Sequence, residues 1–369
     1  MFTNNSTELS PIKEIRPMVG CALEFKPVYH VCGGILAFLI ISVNVFVLHL
    51  FIKNSKLRAL PANYLLISLS VNDLLSGISV LIHFIPYYYL DFHGCGRMIQ
   101  NFDHSYFLAA DITTYVLLIS TVAHLVLLSS ERCISLLYAL RYQLLITRGR
   151  VLIALFLAWA IGFVAGVIQL IWTLPFLYSP SYETQKKMIL LNQVYTKVMI
   201  IGFAFIPVFI LTVEYTWLLL LVRRLVKSVP KIDRSHKSLK EKKTLIIYCS
   251  MFVSFLTFCV PYLLIKLLIS EHTKSVEKLP AEFLEGVFLL RFVISLVNPL
   301  LYTLYKSDFR RAAKMLFSFC WMERKRGSSI SFTSYLHNTE HTVDDRSLLH
   351  PSNNNGRHER YEMATRNYR

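Results

Sequence analysis

The sequence predicts an all-α membrane protein, a bundle of seven transmembrane helices followed by a short amphipathic helix on the membrane surface. Of its 369 residues, 54% are hydrophobic and only 17% are charged, whereas a soluble domain carries about 25% charged residues. The few charges must therefore be concentrated between long apolar stretches. The same composition excludes a disordered chain, a collagen-like chain and a small disulfide scaffold.

Seven stretches are long enough to cross a membrane, since about 20 apolar residues at 1.5 Å each span the hydrocarbon layer. They are predicted at residues 27–52, 61–90, 104–137, 151–177, 198–222, 244–269 and 283–305. Residues 27–52, 112–130, 151–182 and 244–265 contain no Asp, Glu, Lys or Arg. The other stretches carry ionisable side chains, which we expect to face the bundle interior because they are costly in lipid.

The positions of the charges predict the orientation. The net charge of +16 could by itself suggest a nucleic-acid partner, but the excess of Lys and Arg lies in the first, third and fifth connections and after the seventh span. By the positive-inside rule the N-terminus is extracellular, the C-terminus is cytoplasmic and the protein is a multi-pass plasma-membrane protein. Asn4 and Asn5 begin overlapping glycosylation sequons, which agree with an extracellular N-terminus. Anionic membrane lipid, rather than nucleic acid, is the expected partner of the basic face.

The predicted organisation is an extracellular segment at 1–26, the bundle at 27–305, an amphipathic juxtamembrane helix at 306–321 and a disordered cytoplasmic tail at 322–369. Cys320 follows the apolar residues of the juxtamembrane helix and is a candidate for palmitoylation, or is an ordinary packing residue. Ser and Thr residues after the basic run 324–326 predict phosphorylation, followed by arrestin binding.

Each span also carries a polar, aromatic or proline landmark. In chain order these are Asn44; the run 69–75 with Asp73; Glu131, Arg132 and Cys133; Trp159; Pro207 and Tyr215; Phe255 and the run 258–261 with Pro261; Asn298, Pro299 and Tyr302; and Phe309 after the last span. Their order and spacing resemble the rhodopsin-like G-protein-coupled receptors from about Asn44 to Cys320. Cys133 departs from the aromatic residue that the family usually has there, and Cys259 stands where a Trp is common.

The resemblance implies a receptor, not an enzyme, that binds an extracellular ligand and activates a heterotrimeric G-protein by outward movement of the sixth helix. It implies that Arg132 pairs with Glu241 at rest and is freed on activation. The residues expected to form the activation switch are Glu131, Arg132, Glu241, Tyr215, Asn298, Pro299, Tyr302, Phe255 and Pro261. On the residues alone, Glu131 and Arg132 could also be interfacial side chains that reach toward water.

Asp73 lies near the middle of the second span, where a carboxylate needs a cation, polar neighbours or a proton. The resemblance implies an allosteric sodium ion, the one cofactor expected here. Its other predicted ligands are Thr121, Ser295 and Asn298, with Asn44 nearby. Ile294 replaces an amide that is common in the family, and a protonated Asp73 is the alternative.

The outer half of the bundle restricts the ligand. Thr114 stands where receptors for cationic amines have an Asp, and Phe292 stands where opsins have the retinal-binding Lys. The ligand is therefore expected to be neither a typical biogenic amine nor retinal. The candidate pocket residues are His83, Asp111, Thr114, Lys266, Glu285 and Arg291. Either Arg291 and Lys266 bind an acidic group of the ligand, or, as we favour from sequence, Asp111 and Arg291 form an internal salt bridge.

The cysteines depart from the family pattern. Most of these receptors link the outer end of the third helix to the next outer loop by a disulfide, but Phe107 occupies that helix position and residues 177–197 contain no Cys. Cys21 and Cys95 are both predicted to be extracellular and are the candidates for a replacement disulfide, with Cys32 as a third partner.

An ion- or proton-coupled transporter or channel is the alternative function, because five ionisable residues lie within the predicted spans. These are Asp73, Asp111, Glu214, Lys266 and Arg291. The landmarks follow receptor order and no internal repeat is evident, which disfavours this alternative. A receptor-shaped scaffold that does not signal is a third interpretation.

Overall fold

The computed structural model describes residues 27–93, 104–179, 181–228, 236–271 and 279–316, and every regular element within them is helical. Seven of its helices are long and apolar enough to cross a membrane. We call them spans 1 to 7: Pro27–Lys53, Ala62–Ile85, Leu108–Leu137, Arg148–Tyr178, Tyr182–Leu221, Leu245–Ser270 and Glu282–Tyr305. The predicted seven-helix bundle is confirmed, and so is the short helix after span 7, at residues 307–316. The bundle end predicted to be cytoplasmic is called the inner end, and the other the outer end.

Spans 1 to 3 lie in uninterrupted helices, whereas spans 4 to 7 are each interrupted. The first three helices are Pro27–Lys53, Ala62–His93 and His104–Leu137. Span 4 consists of Arg148–Val167 and Leu170–Tyr178, span 6 of His236–Phe258 and Val260–Ser270, and span 7 of Ala281–Leu290 and Val293–Tyr305. Span 5 consists of Tyr182–Ile200, a π-helical turn at Ile201–Phe205 and Ile206–Ser228. Two short helices, Ser55–Ala59 and Tyr142–Leu145, lie in the connections at the inner end.

Prolines explain two of the interruptions, because a proline cannot donate the backbone hydrogen bond that continues a helix. In span 5, Pro207 follows directly after a π turn in which the amide of Ile206 donates to the carbonyl of Ile201. In span 6, the helix is interrupted at Cys259, two residues before Pro261. Pro299 instead lies inside Val293–Tyr305.

Span 5 begins earlier than the sequence predicts. Residues 177–197 were expected to form an outer loop, but the helix starts at Tyr182. Its start is a capping box, in which Ser181 Oγ accepts from the amide of Thr184 at 3.2 Å and Thr184 Oγ1 accepts from the amide of Ser181 at 2.8 Å. The prediction failed because this outer turn carries Glu183, Lys186 and Lys187, and a search for apolar stretches misses a polar helix.

Small residues let span 4 approach span 3 closely. A Cβ atom at Gly162 would lie 2.8 Å from the carbonyl oxygen of Val116, and one at Gly166 would lie 2.9 Å from that of Ile112. Such contacts between helix backbones are typical of small residues in membrane bundles. These contacts hold span 3 against span 4. Span 3 carries side chains of all three groups described in the next subsection.

Candidate functional site

The first group of predicted residues lies at the inner end of span 3. Arg132 is only 9% exposed and Glu131 only 2%, and both Nε and one terminal nitrogen of Arg132 donate to the carboxylate of Glu131. Tyr142, from the neighbouring loop helix, donates its hydroxyl to the same carboxylate. Burial and the nearby Glu131 raise the pKa of the Tyr142 phenol, which therefore keeps the proton that it donates. Arg132 thus has a counter-charge and two charge-assisted hydrogen bonds on its own helix.

Span 6 contacts Arg132 through an aromatic ring. The guanidinium carbon of Arg132 lies 5.0 Å from the ring centre of Tyr248, whose side chain is buried. The side chain of Glu241 lies outside the described residues, so the Arg132–Glu241 pair stays a prediction. Sequence reasoning missed both Tyr142 and Tyr248. Tyr248 follows Glu241 by seven residues, two helical turns, and that spacing places it on the same helix face.

Other switch candidates are packed beside this network. Tyr215 of span 5 stacks on Phe252 of span 6 at 5.3 Å between ring centres, and Tyr302 meets Phe309 edge to face at 5.2 Å. Phe255, Asn298 and Pro299 are buried, Pro261 is partly buried, and the buried hydroxyls of Tyr215 and Tyr302 lie near Ser129 and Ser70, respectively. Cys133, which replaces the usual aromatic residue, donates from Sγ to Glu214 Oε1 at 2.6 Å and so links spans 3 and 5.

The second group surrounds Asp73, which is fully buried in the middle of the bundle. Asn298 Nδ2 donates to Asp73 Oδ2 at 3.2 Å, and the Ser295 hydroxyl faces the same carboxylate. Asn44 Nδ2 donates to the Ser295 carbonyl at 3.0 Å, so spans 1, 2 and 7 meet here. Thr121 of span 3 accepts from Asn72 Nδ2 at 2.7 Å.

Three buried oxygens in this group lack a hydrogen-bond donor. They are Asp73 Oδ1, Asn72 Oδ1 and Asn298 Oδ1. Unsatisfied buried acceptors are costly, and carboxylate and amide oxygens are the ligands that hard cations prefer. The residues present therefore fit a small cation. Ile294 is buried beside Ser295, where the family commonly has an amide.

The third group lies in the outer half and corrects our preferred pairing. Asp111 Oδ1 accepts from Lys266 Nζ at 2.9 Å, so its ion pair is with Lys266 and not with Arg291. The ammonium of Lys266 also lies 4.1 Å from the ring centre of Tyr115. Helix position alone could not decide this pairing, because it depends on how spans 6 and 7 are rotated beyond their interruptions.

An aromatic cluster supports the Lys266 side of the outer half. Tyr115 and Tyr195 meet edge to face at 4.9 Å, and the Tyr115 hydroxyl is 3.2 Å from Thr196 Oγ1. The Tyr195 hydroxyl donates to the carbonyl of Ala165 at 2.8 Å. Trp172 packs on Tyr195 and donates to Asn192. Through these contacts the outer helix of span 5 packs against the outer parts of spans 3 and 4.

Arg291 occupies a different environment, although it is just as buried at 7% exposure. Its guanidinium carbon lies 4.0 Å, 4.6 Å and 4.9 Å from the ring centres of Phe292, Tyr262 and Phe288. One terminal nitrogen donates to Thr114 Oγ1 at 3.3 Å, and Nε has no hydrogen-bond partner.

A cavity of about 30 Å³ lies beneath Arg291. Its wall includes polar side chains from the Arg291 side and from the Asp73 side, namely Thr114, Arg291, Ser76, Thr121 and Ser295. The remaining wall is formed by Leu117, Leu118, Cys259, Phe292 and Ile294. The cavity therefore lies between the second group, around Asp73, and the outer third group, at Arg291.

The remaining candidates are scattered. His83 packs on Phe288 at 4.7 Å between ring centres, beside the Arg291 group, and Glu285 is partly buried on span 7. Cys32 is an exposed free thiol on span 1. Asn4, Asn5, Cys21, Cys95 and Cys320 lie outside the described residues.

Comparison with known proteins agrees with this arrangement. The histamine H2 receptor of Rattus norvegicus is 27% identical over 281 residues, 75% of each chain, and that of Homo sapiens is 25% identical over 306 residues, 82% of each chain. Cannabinoid receptor 2 of Rattus norvegicus is 24% identical over 85% of this chain and 83% of its own. The model of the 7 transmembrane receptor (rhodopsin family) matches residues 43–302. The chain therefore belongs to the rhodopsin family of seven-transmembrane receptors, which are multi-pass plasma-membrane receptors and not enzymes.

Proposed function

We propose that this receptor binds an extracellular ligand and activates a heterotrimeric G-protein by outward movement of span 6. The observation that carries the proposal is the position of Arg132, held by Glu131 on its own helix and covered by Tyr248 of span 6. Arg132 is thus the point where span 6 closes the inner end of the bundle. Family membership supports the same function, since relatives of this family act through heterotrimeric G-proteins.

The proposed mechanism is a shift between two populations. In the resting state Tyr248 covers the guanidinium of Arg132. Outward movement of span 6 removes the ring and opens a cavity that admits a segment of the G-protein. The interruption at Cys259 and Pro261 provides a point where span 6 can bend. The basic residues at 223–243 would rim the cavity and face anionic lipid, and the phosphorylated tail would bind arrestin.

A sodium ion bound by Asp73 would stabilise the resting state. Asp73, Asn298 and Ser295 would hold it, with Thr121 nearby, because three oxygens of this group lack donors. The ion would supply a positive charge that links spans 2, 3 and 7. A proton on Asp73 is the alternative means of neutralising the buried carboxylate.

The ligand is proposed to be neither a typical biogenic amine nor retinal. The relatives are named for histamine and for cannabinoids, and such different names do not define one ligand class. Thr114 offers a cationic amine no carboxylate, and the carboxylate of Asp111 one turn away is paired with Lys266. Phe292 cannot form a Schiff base.

The test is G-protein activation by the intact receptor at the cell surface, compared with Arg132→Ala and Glu241→Ala. We expect Arg132→Ala to abolish activation and Glu241→Ala to raise basal activation. Arg141→Ala is the matched control, because Arg141 is exposed in the connection after span 3. Activation that is unchanged by Arg132→Ala would contradict the proposal. Substrate flux or ionic current without G-protein activation would instead support the transporter or channel.

A further inference from the structure

We infer that Arg291 is the recognition site for a carboxylate group of the ligand, and that the ligand is a monocarboxylic acid with an apolar or aromatic body. The inference rests on the proposed receptor function and specifies the ligand class of its outer site.

Arg291 is a buried cation that meets no anion among the described residues. It is 7% exposed, its Nε has no hydrogen-bond partner and its one side-chain hydrogen bond, to Thr114, is long at 3.3 Å. Among the described residues, no carboxylate lies within ion-pairing distance of it. A buried charge without a partner is strongly unfavourable. The bundle therefore keeps an unsatisfied positive group at this position, which an anion would stabilise.

Lys266 is not the unsatisfied cation of the outer half. Its ammonium donates to Asp111 at 2.9 Å, and this ion pair is partly exposed to solvent. An incoming carboxylate at Lys266 would have to displace Asp111. At Arg291 it would displace no negative charge. A carboxylate is therefore expected to bind at Arg291 rather than at Lys266.

A local feature of span 7 holds Arg291 in place. The helix is interrupted at Arg291 and Phe292, where the amide of Phe292 donates to the carbonyl of Leu289 and the amide of Ser295 donates to that of Phe292, both at 3.0 Å. These bonds close turns of three residues, which are tighter than those of an α-helix. The guanidinium thus projects from a defined irregularity, and Tyr262, Phe288 and Phe292 surround it.

The aromatic contacts leave the hydrogen-bonding capacity of Arg291 largely unused. A cation is attracted to the face of a ring without donating an N–H to it. The planar fork of a guanidinium matches a carboxylate by two parallel hydrogen bonds. Rings that exclude water also strengthen an ion pair, because the local dielectric constant is low. The three rings would therefore raise the affinity of Arg291 for a carboxylate while presenting apolar surface to the rest of the ligand.

The space at Arg291 fits a small head group. The cavity of about 30 Å³ that Arg291 and Thr114 line has room for about two water molecules, since one needs about 10–15 Å³ by this measure. A carboxylate is of that size, whereas a whole ligand is not. The cavity's other described lining residues carry hydroxyls or apolar side chains, Leu117, Leu118 and Ile294 among the latter, and none of them is charged. A second charge on the ligand body would be unfavourable there, which restricts the ligand to monocarboxylic acids.

The test measures the melting temperature of the purified full-length receptor in lipid nanodiscs. The probes are hexanoate, decanoate, benzoate and phenylacetate, each compared with its primary amide, which has a similar shape without the charge. We expect at least one acid to raise the melting temperature in a dose-dependent way while its amide does not. In Arg291→Gln the half-saturating concentration of that acid should rise about tenfold or more. Lys197→Gln is the matched control, because Lys197 is a cation of span 5 that pairs with Glu271 at 2.7 Å and is not a pocket candidate; it should keep the wild-type value.

The inference would be overturned if no acid stabilises the wild-type receptor more than its amide, or if acids stabilise Arg291→Gln equally well. Should Arg291→Gln fail to fold, Arg291→Lys decides: it keeps the charge but loses the fork, and an unchanged half-saturating concentration would also overturn the inference. The melting temperature does not depend on a G-protein. A receptor that binds an acid without activating any G-protein would thus contradict the proposed function and leave the Arg291 site intact.

Discussion

Two arginines of this receptor are almost equally buried, Arg132 at the inner end at 9% exposure and Arg291 in the outer half at 7%. Both lie against aromatic rings. They differ in their counter-charge, because Arg132 is bonded to the carboxylate of Glu131, whereas Arg291 donates, within the described part of the chain, to only the hydroxyl of Thr114.

The difference indicates two roles for the same side chain. A cation with a carboxylate of its own chain is satisfied at rest, and its release needs a conformational change that breaks internal bonds. A cation that contacts only rings and a hydroxyl can instead be neutralised by the carboxylate of a bound ligand. Exchanging the two environments by mutation tests this distinction.

The largest expected effect comes from giving Arg132 the environment of Arg291. Glu131→Gln removes the carboxylate but keeps the size of the side chain. We expect the resting state to lose about 3 kcal/mol, the cost of leaving a buried charge unpaired. Basal G-protein activation should rise and the melting temperature should fall. Glu131→Asp, which keeps the charge, should lie between wild type and Glu131→Gln. Equal basal activation in wild type and Glu131→Gln would contradict the role assigned to this pair.

The reverse exchange gives Arg291 an internal carboxylate. Thr114→Asp places an acidic group next to the guanidinium, because the Thr114 hydroxyl already lies 3.3 Å from it. A hydrogen bond to a charged group contributes about 1.5–3 kcal/mol. The melting temperature without ligand should therefore rise, and stabilisation by decanoate or phenylacetate should be lost. Thr114→Asn is the neutral control. If the Asp and Asn variants bind acids equally, Arg291 is not the carboxylate site.

A smaller effect is expected at the ring that covers Arg132. Tyr248→Leu removes the cation–π contact, whereas Tyr248→Phe keeps it and removes only a hydroxyl that has no hydrogen-bond partner. The contact contributes about 1 kcal/mol, so basal activation in Tyr248→Leu should rise about fivefold. Tyr248→Phe should stay close to wild type. An equal rise in both variants would indicate that the hydroxyl, and not the ring, keeps span 6 in place.

Hydropathy along the sequence was sufficient to predict the seven spans, the amphipathic pattern after them predicted the last helix, and the order and spacing of the landmark residues indicated the family. The interruptions near Pro207 and Pro261 also have a cause in the sequence, since proline removes a backbone donor, although Pro299 lies inside a continuous helix. The early start of span 5 was missed, although the capping residues Ser181 and Thr184 could have indicated it. Hydropathy averages do not detect a helix whose outer turns are polar.

The partners of the charged side chains could not be read from the sequence. Asp111 was expected to meet Arg291 but pairs with Lys266, because helix rotation and the tight turn at Arg291 decide which of the two cations reaches Asp111. Tyr248 is unremarkable in an apolar stretch until span 6 is packed against span 3. Residue type and spacing gave the candidates, and three-dimensional packing gave their pairs.

The early start of span 5 has a consequence for redox behaviour. In most of the family a disulfide ties the outer end of the third helix to the following loop. Here Phe107 occupies the helix position and residues 177–197 contain no Cys, so this disulfide cannot form. Instead, the hydroxyl contact between Tyr115 and Thr196 and the packing of the Tyr115 and Tyr195 rings hold span 3 to span 5. No cysteine takes part in these contacts. A thiol reductant should leave it intact, so this part of the outer pocket can assemble in reducing conditions such as cell-free synthesis.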